Sequence, residues 1–204
     1  METGQTYHIY NHANGSENIF RTDENYRFFL QRYKMHLAAV VDTYAYCLMP
    51  NHFHFMVRIK ADEELKELQS ETFPKFRTLE KLDTAQYPHF ISKQFSNLFS
   101  SYTQAFNRKY GRKGSLFMKN FKRKPVASIE QWQETFLYIH LNPIKHKFSK
   151  QMEHWKWSSW HAYKNMDAPS LLARAEAITY FDNLENLLYC SEERRHKIMN
   201  LDLE

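Results

Sequence analysis

From His52 onward the sequence alternates without a break. Phe53, Phe55, Val57 and Ile59 fall on one side of an extended chain, and His52, His54, Met56, Arg58 and Lys60 fall on the other. The apolar side must be buried, which predicts a strand with one face on a core. The opposite face then projects two histidines together. Imidazoles on neighbouring same-side positions can share one metal ion, but they can also be ordinary polar residues of an outer face.

Around this strand the pattern reads strand, helix, strand, strand. Thr6 to Tyr10 is rich in β-branched and aromatic residues and runs into the turn-forming Asn11-His-Ala-Asn-Gly15. A helix over roughly Asn25 to Ala39, capped by Asp23, carries Phe28, Phe29, Tyr33, Leu37 and Val40 in an approximate stripe. Thr43 to Leu48 pairs with His52 to Lys60 as a hairpin across Met49-Pro50-Asn51. Ala61 to Gln69 predicts a short helix, and Glu71 to Pro88 shows little periodicity. A long helix from about Pro88 to Tyr110 gathers Ile91, Phe95, Leu98, Phe99, Tyr102 and Phe106 on one side. Ser128, with Gln131 three residues later, predicts a helix start. Pro143 predicts its end at about Asn142, because the residue before a proline is disfavoured in the helical region.

Composition narrows the class. A chain of 204 residues with 43% hydrophobic content can bury one sizeable core. Its apolar runs, such as Leu37 to Val41, are far short of the roughly 20 residues a bilayer needs, and Met1 to Gln5 has no secretory pattern. The expectation is a cytoplasmic protein without a membrane partner. Two cysteines, Cys47 and Cys190, make neither a disulfide framework nor a cysteine zinc site, and both read as structural. A net charge of +5 and a pI of about 9.0 favour an anionic partner.

Tyr138 and Asn142 are four residues apart, so they share a helical face and can enter one site together. Taken singly, each also reads as packing or as a helix end. Pro50-Asn-His-Phe-His-Phe-Met-Val57, followed by Tyr138-Ile-His-Leu-Asn-Pro-Ile144, resembles the signature pair of single-tyrosine HUH transposases, in particular the REP-associated tyrosine transposase branch. Tyr7-His-Ile-Tyr-Asn resembles that family's first strand, Gly114-Ser-Leu-Phe its mid-chain hairpin, and Trp155-Lys-Trp-Ser-Ser its downstream tryptophan-serine segment. The likeness spans roughly residues 5 to 165.

The resemblance, together with the element order, implies an α+β, ferredoxin-like fold. Its antiparallel sheet of four or five strands would have the apolar face covered by the two long helices and the histidine face open. It implies a transposase domain over 1–150 with a C-terminal helical extension over 151–204 packed on it. His52, His54 and Asn142 become ligands of Mg2+ or Mn2+, and Tyr138 the nucleophile that forms a 5′-phosphotyrosine on single-stranded or hairpin DNA. Two imidazoles and an amide oxygen suit such ions and leave positions for a phosphate oxygen. A free phenol has a pKa near 10 and needs help to lose its proton; His140 should face away from Tyr138, so no base is named. The chain departs from the family pattern at Met118-Lys-Asn120 and at Ile144-Lys-His-Lys147, which bears on DNA specificity.

Arg108, Lys109, Arg112, Lys113, Lys119, Lys122, Arg123 and Lys124 cluster just before the Tyr138 helix, where they could neutralise phosphates or form a solvated face. Phe117 and Phe121 interleave with them as base-stacking or half-buried rings. Trp155, Trp157 and Trp160 read as staples for the extension, and Leu171 to Tyr189 as a packing element. Two other classes stay open: a domesticated nucleic-acid-binding regulator without cleavage, and a zinc hydrolase, which lacks a carboxylate base beside the histidines. Monomer and homodimer are equally compatible with the sequence.

Overall fold

The alternation that begins at His52 builds the third strand of a four-stranded antiparallel sheet. A computed structural model describes residues 1–70 and 82–201. The strands are β1 (Thr6–His12), β2 (Val41–Met49), β3 (His52–Ile59) and β4 (Lys122–Pro125), in the order β2-β3-β1-β4. Helix α1 (Asp23–Leu37) connects β1 to β2. After β3, α2 (Asp62–Ser70) and α3 (Tyr87–Lys109) precede β4. Strand order and crossovers are those of the ferredoxin-like fold. Much of the region from Glu71 to Pro88 lies outside the described residues.

Phe53, Phe55, Val57 and Ile59 enter one core with Tyr26, Phe29, Tyr33 and Leu37 of α1 and Ile91, Phe95, Leu98 and Tyr102 of α3. Ring contacts tie the layers: Tyr33 stacks on Phe55 at 4.3 Å, and Phe29 meets Tyr102 edge-on at 5.0 Å. Thr22, rather than Asp23, caps α1, in a capping box with Asn25.

The other face of the sheet is not open, in contrast to the sequence expectation. Helix α4 (Ile129–Lys145) lies across β2 and β3 on this side. Its Trp132, Phe136 and Ile139 join Tyr44, Ala45, Cys47, Met49 and Met56 in a second core. The cause is β2, whose residues are apolar on both faces, so one helical layer cannot bury it. α4 also runs past Asn142, and Pro143 sits inside its last turn. There one missing N–H is tolerated because the helix end has few bonds left to make, and His146 N–H still reaches Asn142 O at 3.0 Å.

Residues 151–201 complete this second core. The Leu48 N–H donates to Trp157 O at 2.9 Å, Trp157 stacks on Tyr26 at 4.5 Å, and Trp155 Nε1 donates to Leu48 O at 3.0 Å, so the segment docks along the β2 edge. Beyond it come α5 (Trp160–Lys164), α6 (Arg174–Thr179) and α7 (Leu184–Leu201). Ala177, Phe181 and Leu187 pack on α4, and Tyr180 stacks on Trp132 at 4.0 Å. Both cysteines are free, Cys47 being buried. Among the described residues no helix is long and apolar enough to cross a membrane.

Candidate functional site at the junction of β3 and α4

Strand register brings the polar side chains of β1 and β3 together. Tyr10 lies opposite His54 and His12 opposite His52, and His8 sits one same-side position along from Tyr10. α4 covers them with the face that carries Tyr138 and Asn142, as their i, i+4 spacing requires. His52 and His54 are therefore 3% and 4% exposed, and Asn142 is fully buried.

All four residues singled out from the sequence meet here. His52 Nε2 stands 3.0 Å from Asn142 Oδ1, and the Tyr138 ring meets His54 edge-on at 5.3 Å. Three further histidines join that no motif of the sequence singles out. His8 Nε2 lies 2.9 Å from His54 Nδ1, the His12 ring stacks on His52 at 4.6 Å, and His146 meets His52 at 5.1 Å. Asn51 Oδ1 lies 2.8 Å from His52 Nδ1. His8 and His12 were visible as same-face residues of β1, but only the β1–β3 register shows that they reach β3's histidines.

Burial favours the neutral form of His8, His52 and His54. It pushes His8 and His52 down to about 4 and His54 well below the usual histidine range; Lys124 adds to the effect at His8, and the neighbouring histidines to that at His54. A neutral imidazole carries one N–H. One tautomer set places it on Nδ1 of both rings, with His52 donating to Asn51 Oδ1 and His54 to His8 Nε2. Both Nε2 atoms are then bare lone pairs. Ligating histidines are held in this way, with the far nitrogen fixed by an outer partner.

The Asn142 amide stands beside the two imidazoles. Asn142 Nδ2 is buried without a hydrogen-bond partner, and turning the amide would orphan the oxygen instead. Asn142 Oδ1 faces His52 Nε2 at 3.0 Å and accepts its N–H when the proton is on Nε2; with the proton on Nδ1 instead, both atoms present lone pairs. Adjacent ligands of an octahedral ion with bonds of about 2.1 Å stand about 3.0 Å apart. Among the described residues no three histidine, cysteine or carboxylate side chains form a cation site.

His140, two residues after Tyr138, points to the other side of α4. It is buried beside Phe136 and Tyr163, with Nδ1 bonded to Phe136 O at 3.0 Å and Nε2 to Ser159 Oγ at 2.7 Å. Lys145 Nζ lies 5.0 Å from the Tyr138 ring centroid.

The basic cluster divides. Lys122 and Lys124 pair with Tyr10 and His8 across β1, so they share the histidine face. Arg123 turns to the opposite face, its guanidinium 5.9 Å from the Phe121 ring. Arg112 is engaged within the fold, with Nε to Glu17 at 2.7 Å and further bonds to Asn107 Oδ1 and the Ser115 carbonyl. Lys109 pairs with Glu24, while Arg108, Lys113 and Lys119 are exposed. Phe117 is core, and Phe121 is half-buried against Phe95.

No protein-family model matches the chain, and no curated protein matches it in sequence. Among solved structures, the chain is similar to a REP-associated tyrosine transposase bound to a REP hairpin. The TM-score is 0.51 at 16% identity, over 83% of this chain and 84% of that one. At that identity the comparison shows a shared fold.

Proposed function

We propose that the protein nicks and rejoins single-stranded DNA as a transposase, with Tyr138 as its nucleophile and a structured strand, such as a hairpin of the kind the structural neighbour holds, as its substrate. The observation that carries this reading is the convergence of Tyr138 on His54 and of Asn142 on His52 from one face of α4. In the proposed step the Tyr138 oxygen bonds to phosphorus and the P–O3′ bond breaks. The bonding pair stays on the 3′ oxygen, which gains a proton, and a 5′-phosphotyrosine remains. The covalent link keeps the phosphodiester energy for rejoining, so no nucleotide cofactor is consumed.

His52, His54 and Asn142 are the residues that would hold magnesium or manganese, and the ion would supply Lewis-acid polarisation of the phosphate. His8 and Asn51 orient the two imidazoles. Lys122 and Lys124 hold phosphates of the strand on the same sheet face, and Lys145 adds positive charge above the tyrosine ring, where the transferred phosphate arrives.

The test is to incubate the protein and manganese with end-labelled hairpin oligonucleotides from the DNA flanking its gene, then denature. The expected product is a protein-linked 5′ end. Tyr138→Phe keeps the ring and removes only an oxygen on a half-buried side chain, so folding and DNA binding persist. Cleavage should fall by more than about a thousandfold. Binding without any adduct in the wild type would leave a non-cleaving DNA-binding regulator as the reading.

A further inference from the structure

We propose that Tyr10 is a second tyrosine of the cleavage step, its hydroxyl donating a hydrogen bond to a non-bridging oxygen of the phosphate that Tyr138 attacks. This deepens the cleavage reading above and rests on it.

Two tyrosines flank one pair of imidazoles. Tyr138 meets His54 and His8 edge-on from α4, with ring centres 5.3 and 5.9 Å away. Tyr10 lies beside the same two rings on the sheet, 5.7 Å from His54 and 4.8 Å from His8, at tilts of 33° and 31°. Among the described residues no ring contact joins the two phenols, and the Tyr10 hydroxyl has no hydrogen-bond partner. A phenylalanine would pack against the imidazoles as well, so the fold itself gives this oxygen no task.

The approach to the histidines runs past Tyr10. α4 lies across β2 and β3 and closes that half of the face, whereas β4 is exposed along its whole length and Tyr10 is half-buried. At this level of the sheet the order across the strands is His54, Tyr10, Lys122. A DNA strand anchored on Lys122 therefore meets Tyr10 on its way to His54.

The chemistry needs such a donor. As the Tyr138 oxygen bonds to phosphorus and the P–O3′ bond breaks, negative charge is spread over the non-bridging oxygens. In the tautomer set above, His52 and His54 spend their N–H groups on Asn51 and His8, so neither imidazole has a proton to offer the phosphate. A hydroxyl on a paired strand is fixed in advance and stabilises that charge without reorganising. Tyr10 keeps its proton throughout.

The test uses the full chain with manganese and end-labelled hairpin oligonucleotides carrying sulfur at either non-bridging position of the cleaved phosphate, as separated diastereomers. The Tyr10→Phe variant should keep the wild-type Tm, manganese affinity by calorimetry and hairpin affinity, and form the adduct on the all-oxygen hairpin about a hundredfold more slowly. Sulfur is the poorer acceptor, so one diastereomer should slow the wild type about tenfold and the Tyr10→Phe variant no further, while the other affects both proteins alike. An unchanged rate in Tyr10→Phe, a loss of manganese or hairpin affinity that matches the loss of rate, or the same response of both proteins to both diastereomers would overturn the assignment. So would a protein-linked 5′ end in Tyr138→Phe that disappears when Tyr10→Phe is added, which would make Tyr10 a nucleophile. A wild-type adduct with Tyr10→Phe at full rate removes this inference alone. No adduct from the wild type on the all-oxygen hairpin removes the cleavage reading with it.

Discussion

His140 stands inside the Tyr138 to Asn142 segment, yet its chemistry is that of a buried fastener, and acid should expose this. Its Nδ1–H donates to Phe136 O, and Nε2 lies 2.7 Å from Ser159 Oγ, which also reaches Tyr46 O at 3.2 Å; burial favours the neutral ring, whose bare Nε2 then accepts from the Ser159 hydroxyl. Burial lowers its pKa from 6.5 to about 3. A lowered histidine pKa means that the unfolded chain takes up a proton the folded one refuses. Stability is therefore complete above the unfolded value and is lost as pH falls from about 6.5 toward 3. Between pH 7 and pH 5 this one ring costs about 2 kcal/mol, equivalent to about 4–8 °C in Tm for a chain of this length. His140→Gln can still accept from Ser159 but does not titrate, so its stability should change about 2 kcal/mol less over the same interval. Urea denaturation of both proteins at the two pH values measures the difference, which cancels the contributions of His8, His52 and His54. Parallel losses would show that His140 is protonated in the folded state and that the assigned network is wrong.

Three further outcomes follow from the site. His8→Phe keeps a ring against His54 but removes the acceptor for its Nδ1–H, so manganese affinity by calorimetry should drop by about 10–100-fold. Replacing Lys122 and Lys124 together by alanine should reduce the slope of log affinity against log salt by about 1.4–1.8 on hairpin DNA. Arg112→Ala should leave that slope unchanged and lower Tm instead, because its guanidinium is spent on Glu17 and the Ser115 carbonyl.

Legibility in the sequence followed the range of the interactions. The period of two from Phe53 to Ile59 and the i, i+4 pair Tyr138 and Asn142 are local patterns, and each placed its residues on the correct face. The approach of His8 to His54 depends on register between strands some 46 residues apart, which no local pattern encodes. The cover over the histidines is not legible at His52 and His54, which read as a solvent face. The signal for it lies in β2, where Tyr44, Ala45, Cys47 and Met49 demand burial on that side. Arg112 and Lys122 look alike in a basic run, and only the fold separates a residue clamping a turn from one beside the histidines. Pro143 reads as a stop in the sequence, although a proline in a final turn removes one bond from a helix already running out of them.

The cover also decides what the C-terminal extension is for. One face of α4 near Tyr138 and Asn142 rests on the histidines, while Ile139, Leu141 and Ile144 stay in the second core. The N-terminal half adds an attachment to the extension, through Trp132 and Phe136 against Phe181, whose ring lies 6.1 and 5.5 Å from theirs. Phe181 is 1% exposed, so Phe181→Ala should cost about 3–5 kcal/mol through lost burial and the cavity left behind. None of that change touches the site, and the α1–α3 core on the far face of the sheet remains intact. If the extension clamps α4, the variant should lose the near-ultraviolet signal of Trp132 and the Tyr138 adduct together on mild heating, while far-ultraviolet helicity persists. Loss of adduct only when the whole fold melts would mean that the sheet holds α4 unaided, and the extension would need another role.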